Sequence, residues 1–205
     1  MAVTRVEVFI DWQNCYRSAQ DAFGPGTNGN VNPNALARHL AATRLPDQAP
    51  GELTTVQIHS GIPSQRKSPT TYAARRRQHA AWKMLSSFVE IHTRTLATRR
   101  DPSGNEYAVE KGIDVALAIG MVRRVVFEKT CDVVVLVSAD TDLLPALELI
   151  IQRRGVKAVE VATWDGPHRG PQPLAVAGHQ VRQHRLDERL YRKLEDTTPY
   201  HLRRC

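Results

Sequence analysis

The run VVVLVSADTDLLPALELIIQRRGVKAVEV, residues 133–161, determines the fold that we expect. It begins with the apolar segment Val133–Val137, and an uninterrupted apolar run is typical of a strand covered on both faces. Pro145 suits the first turn of the helix that follows, and Gly155 suits its end. A second strand is predicted over Lys157–Ala162. Because a helix connects the two strands, we expect them to lie parallel in one sheet through a right-handed crossover.

The same alternation of strands and helices extends toward the N-terminus. Runs of apolar and β-branched residues predict strands, and apolar residues at helical spacing predict helices. The predicted strands cover Arg5–Ile10, 54–63 and 89–97. The predicted helices cover Gln13–Phe23, a segment capped by Asn32 or Asn34 that runs to about Thr43, 71–88, and 109–129. This order predicts an α/β fold, a three-layer α/β/α sandwich with a mainly parallel central sheet.

Two of these helices are expected to bury an apolar face, because apolar residues recur along them at helical spacing. In the helix over 109–129 these residues are Val115, Ile119, Val122 and Val126. In the helix over 71–88, which is basic, they are Ala81, Leu85 and Phe88. Residues 99–107, RRDPSGNEY, are rich in turn-forming residues and predict a turn or flexible loop.

The length of 205 residues and the hydrophobic content of 41% suit one domain with one sizeable core. We expect this domain to span 1–165, and 166–205 to form a C-terminal loop and basic tail packed on it. The three cysteines are odd in number and far apart, which indicates neither a disulfide framework nor a zinc site. The sequence shows no signal peptide or membrane-length apolar run. A cytoplasmic protein without a membrane partner is therefore expected, and a homo-oligomer or a protein regulator is left open.

Positive charge is concentrated in one segment of the chain. The net charge is +7, and from Gln65 to Arg100 there are nine lysines and arginines against one acidic residue. A basic segment on an otherwise neutral protein indicates an anionic partner, most commonly nucleic acid. The alternative is a solvated helix face. The candidate nucleic-acid contacts are Arg75, Arg76, Arg77, Lys83, Arg99 and Arg100.

Carboxylates stand at the ends of two predicted strands. Asp11 ends the strand in VEVFIDWQN, residues 6–14, and Asp140 and Asp142 follow the strand over Val133–Val137. If these strands are neighbours, the acids meet at one edge of the sheet, where parallel α/β proteins bind ligands. Asp114, in the first turn of a helix, can join them. Clustered carboxylates repel one another, and a hard divalent cation such as Mg²⁺ relieves that repulsion. Together with the basic segment, this pattern indicates metal-dependent hydrolysis of nucleic acid.

Each of these residues also has a simpler interpretation. Asp11, Asp140 and Asp142 can cap the helices that follow them. Asp114 can interact only with the helix dipole, and Asn14 can make only a local turn contact. Lys111 can be an ordinary surface lysine.

The chain resembles the NYN domain, a PIN-like nuclease fold, and in particular its LabA-like bacterial branch. The resemblance is carried by VFIDWQN at 8–14, EKGIDVALAIGMV at 110–122, and the run at 133–161. It implies a PIN-like parallel sheet, an acidic site for Mg²⁺ or Mn²⁺, and cleavage of RNA. The residues that it implies for the site are Asp11, Asn14, Asp114, Asp140 and Asp142, with Ser138 orienting the loop and Lys111 in support.

The chain departs from the family pattern at two positions. Gly120 stands where the family helix often carries a further aspartate, and Leu143 replaces the usual phenylalanine. The first interpretation is a divalent-metal-dependent endoribonuclease, and the second is a catalytically silent RNA-binding or regulatory protein, which Gly120 favours. A phosphatase of the haloacid dehalogenase type would need a second acid two residues after Asp11, where this chain has Gln13.

Overall fold

In the computed structural model, residues 3–45, 48–168, 170 and 172–201 are described. Residues 202–205 of the predicted basic tail lie outside them. The strands are β1 (Thr4–Asp11), β2 (Gly51–Ile62), β3 (Val89–Thr95), β4 (Ala97–Arg100), β5 (Glu106–Val109), β6 (Val133–Val137), β7 (Val159–Trp164) and β8 (Arg182–Leu186). The α-helices are α1 (Trp12–Phe23), α2 (Pro33–Ala42), α3 (Pro69–Leu85), α4 (Ile113–Val122), α5 (Leu144–Arg154) and α6 (Glu188–Leu194). A π-helical segment, Arg123–Glu128, continues α4.

Six strands form one sheet in the order β3-β2-β1-β6-β7-β8, and every neighbouring pair is parallel. From β1 the chain builds outward to β2 and β3, and then returns to place β6 on the other side of β1. The strand order therefore reverses between β1 and β6. In α/β sheets, ligands bind beside such a reversal, at the C-terminal ends of the strands.

Helices cover both faces of the sheet. Successive side chains of β1 point to opposite faces, so they enter two different cores. Val8 and Ile10 belong to a core shared with α1, α2 and α6, whereas Phe9 belongs to a second core shared with α4 and α5. All three side chains are fully buried. The predicted three-layer α/β/α sandwich is therefore confirmed.

Helix α4 forms as predicted, but the prediction of its buried face was wrong. Val115 and Ile119 are each 61% exposed. Val122 and Val126 are partly buried and pack against the second core. The buried residues of α4 are Ile113, Leu117, Gly120 and Met121. Because this helix is apolar on both sides, periodicity alone did not distinguish the face that packs from the face that meets solvent.

The buried face of α3 also differs from the prediction. Leu85 and Phe88 are 48% and 43% exposed, and α3 ends at Leu85. The buried residues of α3 are Gln78, His79 and Trp82. The Trp82 ring lies with its centroid 4.3 Å from that of Trp12 on α1. This aromatic contact orients α3 and leaves Leu85 facing outward.

The segment predicted as a turn or loop at 99–107 is only partly irregular. Strands β4 and β5 pair as an antiparallel hairpin, with Arg100 opposite Glu106, and the turn occupies 101–105. Beyond residue 165, β8 pairs with β7 as the outer strand of the main sheet, and α6 follows it. In the part of the chain that the structure describes, no helix has the length and apolar character to cross a membrane.

Candidate functional site

Three carboxylates converge at the C-terminal edge of the sheet. Asp11 is the last residue of β1, Asp140 follows the neighbouring β6, and Asp114 lies in the first turn of α4. One oxygen from each of the three carboxylates lies within 4.8 Å of the other two. Asp11 is buried and the other two are partly exposed. The adjacency of β1 and β6 therefore brings together acids that are 129 residues apart in the chain, counted from Asp11 to Asp140.

Hydrogen bonds hold Asp11 and the loop after β6 in place. The Oδ2 atom of Asp11 accepts from the Ser138 hydroxyl at 3.1 Å, and Ser138 Oγ accepts from the Asp140 amide at 3.1 Å. Asn14 Oδ1 accepts from the Ala139 amide at 3.0 Å. Asn14 and Ser138 therefore fix the loop that carries Asp140 against the start of α1.

The capping interpretation also describes these acids, and it does not compete with the cluster. Asp11 Oδ1 accepts from the Asn14 amide at 3.1 Å and caps α1. Asp140 Oδ1 accepts from the Asp142 amide at 2.9 Å and caps the short 3₁₀ turn before α5. Each of these carboxylates has a second oxygen, so a capping acid can also contribute a ligand atom.

Two predicted site residues lie outside the converging group. Asp142 is exposed, and its charge contributes to raising the pKa of Asp114. Lys111 is exposed, immediately before the Gly112 that caps α4. Both are close to the acidic edge in sequence, but the structure does not bring their side chains into the group of three carboxylates.

The acids shift one another's protonation. Burial raises the pKa of Asp11 to about 7, although hydrogen bonds from Asn14 and Ser138 oppose the rise, and the charges of Asp114 and Glu110 add to it. Burial also raises the pKa of Asp114, and the charge of Asp140 adds to that rise. Among the described residues, no Lys, Arg or His nitrogen lies within 4.0 Å of the carboxylates of Asp11, Asp114 and Asp140. These three acids therefore have no described ion-pair partner, whereas the charges of Arg17 and Arg75 act on Glu110.

Glu110 is a site residue that the sequence analysis did not single out. Its Oε1 accepts from the Gly61 amide at 2.9 Å, and burial raises its pKa. It lies on the cavity of about 500 Å³ beside the cluster, which is lined by residues of the acidic edge, α1 and β5. These include Asp11, Asp114, Asp140, Glu110, Gln13, Asn14, Arg17 and Asp21. The sequence signal for Glu110 was its place at the start of EKGIDVALAIGMV, four residues before Asp114.

Gly120 is a buried residue of α4 and lies on the face of the helix that packs against the sheet. A Cβ atom at this position would lie 3.4 Å from Phe9, 3.5 Å from Gln57 and 3.8 Å from His59. His59 is the partner of Asp11 on β2, is 3% exposed, and has no hydrogen-bond partner for either ring nitrogen among the described residues. A β-carbon at 120 would therefore contact Phe9, Gln57 and His59.

The predicted nucleic-acid contacts occupy two elements. On α3, Arg76 and Lys83 are exposed, Arg75 is half-buried, and Arg77 Nε donates to the Tyr200 carbonyl at 2.6 Å. On the β4–β5 hairpin, Arg99 and Arg100 are exposed, and Arg100 pairs with Glu106 at 3.1 Å. Burial raises the pKa of Glu110, and the charges of Arg17 and Arg75 oppose that rise.

Comparisons with known proteins bear on the family and the fold. The sequence model of a family described as the NYN domain matches residues 5–180. No curated protein matches the chain. A crystal structure of a protein of unknown function from Vibrio parahaemolyticus aligns with a TM-score of 0.50 and 18% identity, over 80% of this chain and 82% of that one. At that identity, the likeness to the Vibrio protein shows the fold alone.

Proposed function

From the premise that this chain belongs to the NYN domain family, which suggests a PIN-like nuclease, we propose that it is a divalent-metal-dependent endoribonuclease. The observation that carries the proposal is the convergence of three carboxylates without a neutralising cation. In this proposal the substrate is cytoplasmic RNA, and the bond that is hydrolysed is a phosphodiester.

The chemistry of the donor set fits a hard divalent cation. Carboxylate oxygens are the ligands that Mg²⁺ and Mn²⁺ prefer, and Mg²⁺ keeps several waters, so three protein carboxylates suffice. We propose that Asp11, Asp114 and Asp140 hold the ion. When bound, such an ion activates water and stabilises a phosphoryl oxygen.

The remaining residues of the proposed site act on the carboxylates or on the substrate. Ser138 and Asn14 keep Asp11 and Asp140 in register through the hydrogen bonds described above. We assign Asp142 as an outer acid of the site and Lys111 as a supporting cation, because both lie at its exposed margin. The basic side chains of α3 and of the hairpin are proposed to contact the RNA backbone.

Gly120 favours a second candidate function, a catalytically silent RNA-binding or regulatory protein. In this chain the position offers no fourth carboxylate, and its surroundings are Phe9, Gln57 and His59. If the fourth acid is indispensable for chemistry, the three remaining acids bind the cation without supporting cleavage.

The test is a cleavage assay on RNA, DNA and a simple phosphate ester, with Mg²⁺, with Mn²⁺ and with a chelator. We expect RNA cleavage that the chelator stops and that Asp140→Asn reduces below detection. Asp165→Asn, which alters an exposed carboxylate paired with Arg185, is the matched control and should cleave like the parent. RNA binding without cleavage in either metal supports the silent alternative, and cleavage of the phosphate ester alone rejects both.

A further inference from the structure

A second cavity lies next to the acidic one and has a different character. It has a volume of about 330 Å³ and lies between α1, α3 and the chain segment 196–201. That volume is in the range of cavities that bind small molecules, about 300–1,000 Å³. We call it the Arg75 cleft, after the cation that lines it together with Tyr16, Asn30 and Gln78.

Arg75 differs from the partly buried Arg44 and Arg124 in having no carboxylate partner within 4.0 Å among the described residues. Arg44 pairs with Glu160 at 2.8 Å, and Arg124 pairs with Glu7 at 2.8 Å. The guanidinium of Arg75 donates one hydrogen bond within the described residues, to Gln78 Oε1 at 2.6 Å. Buried charges are normally paired, and a guanidinium offers five N–H donors that match a phosphate. The unpaired donors of Arg75 point to an anionic ligand.

The other groups in the cleft are suited to binding a nucleobase. The buried Gln78 donates from Nε2 to Asn30 Oδ1 at 3.1 Å, so Gln78 links Arg75 and Asn30 into one arrangement. The side-chain Nδ2 atom of Asn30 makes no hydrogen bond to a described residue, which leaves its two N–H donors for a ligand. Tyr16 adds a half-buried aromatic ring. A planar ring, an amide and an arginine are the groups with which proteins hold a base and phosphate of single-stranded RNA.

The cleft adjoins the proposed catalytic site. Helix α1 lines both cavities, with Tyr16 in the cleft and Gln13 and Arg17 in the acidic cavity. Burial raises the pKa of Glu110, which lines the acidic cavity, and the charge of Arg75 in the cleft opposes that rise. Because α1 lines both cavities, a strand of RNA whose scissile phosphate lies at the carboxylates can extend along α1 into the cleft.

We propose that the Arg75 cleft binds one nucleotide of single-stranded RNA beside the scissile phosphate, with Arg75 on a phosphate and Tyr16 and Asn30 on the base. The inference rests on the proposed function for the position of the scissile phosphate. It adds a base-recognition site, which the acidic cluster itself does not provide.

The test measures binding separately from cleavage. Fluorescence anisotropy with labelled eight-residue homopolymers of A, C, G and U, on the full chain carrying Asp140→Asn, gives affinities that do not depend on turnover. Arg75→Gln should weaken binding about tenfold or more and reduce the salt slope by about 0.7. Arg38→Gln, which alters an exposed arginine of α2 outside the cleft and outside the proposed RNA contacts, is the matched control and should change affinity less than twofold.

A second measurement guards against a folding defect in the variants. Photocrosslinking of the parent chain to oligomers that contain 4-thiouridine should attach RNA to the peptides that carry Tyr16 or Asn30. Asn30→Ala should reduce the differences in affinity among the four homopolymers. The proposal is contradicted if Arg75→Gln and Arg38→Gln have equal effects, if crosslinks form only to other peptides, or if the parent does not bind RNA. If Arg75→Gln loses RNA binding and the parent does not cleave RNA, the nucleotide-binding role of the Arg75 cleft is supported and the proposed nuclease activity is rejected.

Discussion

Two buried acids on β1 lie four residues apart and point to the same face, but their surroundings are opposite. Glu7 is fully buried, and its Oε2 accepts from Arg124 at 2.8 Å while its Oε1 accepts from the Thr130 hydroxyl at 3.1 Å. Asp11 is 3% exposed and has a serine hydroxyl and a backbone amide as partners, with other carboxylates nearby. One strand therefore carries a neutralised acid at its beginning and an acid without a counter-charge at its end.

Glu160 on β7 shows that Glu7 is not an isolated case. Its carboxylate lies 2.8 Å from Arg44 and 2.7 Å from His184, and its residue is 1% exposed. In this protein the buried acids away from the C-terminal edge have cationic partners. The acids at that edge have none among the described residues, so the chain itself does not satisfy them, and an external cation can.

The largest difference between the two regions should appear in the response to pH. A raised pKa means that folded Asp11 keeps its proton where the unfolded chain has lost it. The free energy of unfolding of the metal-free protein should therefore fall as pH rises from about 4 to about 7. For Asp11, with a pKa raised from 3.8 to about 7, the fall is at most about 4 kcal/mol.

The measurement is chemical denaturation at intervals between pH 4 and pH 8 in the presence of chelator. Asp11→Asn should give a shallower fall than the parent, because the contribution of Asp11 is removed. Some fall should remain, because Asp114 and Glu110 also have raised pKa values. Saturating Mn²⁺ should abolish the fall in the parent. A parent that gains stability over this range, or an Asp11→Asn profile identical to it, contradicts the assignment of an unneutralised acid.

At the other end of β1, Glu7→Gln should destabilise the protein by about 3 kcal/mol. The change leaves the Arg124 guanidinium, which is 18% exposed, without its closest carboxylate. The estimate lies at the low end for a broken buried pair because Glu90 and Glu128 remain at 3.8 and 3.7 Å from Arg124. Urea denaturation measures the loss.

The control for this prediction is the exposed pair of Arg5 and Asp132, whose side chains are 45% and 38% exposed. Asp132→Asn should cost less than about 1 kcal/mol, because solvent screens an exposed pair. Equal losses of unfolding free energy in Glu7→Gln and Asp132→Asn would contradict the claim that the buried pair stabilises the protein more than the exposed pair.

The smallest predicted effect concerns Gly120. A Cβ at this position makes contacts of 3.4–3.8 Å, which are ordinary van der Waals distances. Gly120→Ala should therefore raise the free energy of unfolding by about 0.5–1 kcal/mol, because glycine inside a helix is less stable than alanine. RNA cleavage should be unchanged. Gly112→Ala is the contrasting variant and should destabilise, because Gly112 has a φ of +73°. Stabilisation in both variants contradicts this account.

The sequence predicted those strands and helices whose residues favour a single type of secondary structure and a single buried face. The apolar run Val133–Val137 and its crossover helix specify a buried parallel strand, and the strand-end acids Asp11 and Asp140 meet because β1 and β6 are neighbours. The buried face of α4 was not predictable from periodicity, because apolar residues occupy both sides of the helix. Strands β4 and β5 were missed because most of their residues are exposed and follow no burial pattern.

The gaps in the predicted site have a similar cause. Glu110 reaches the acidic cavity because Gly61 on β2 donates its amide to it, a contact between residues 49 apart in sequence. The Arg75 cleft depends on α1, α3 and the segment 196–201 meeting in space. No local pattern encodes such contacts, so only the folded chain distinguishes Arg75 from Arg76 and Arg77.

The most direct test of the central claim is calorimetric titration of the metal-free protein with Mn²⁺. We predict that the parent binds the ion with a dissociation constant below the millimolar range and that Asp140→Asn abolishes this binding. Asp132→Asn, with its carboxylate at the opposite end of the sheet, should bind Mn²⁺ like the parent. No detectable heat from the parent at millimolar Mn²⁺, or undiminished binding by Asp140→Asn, would contradict the account.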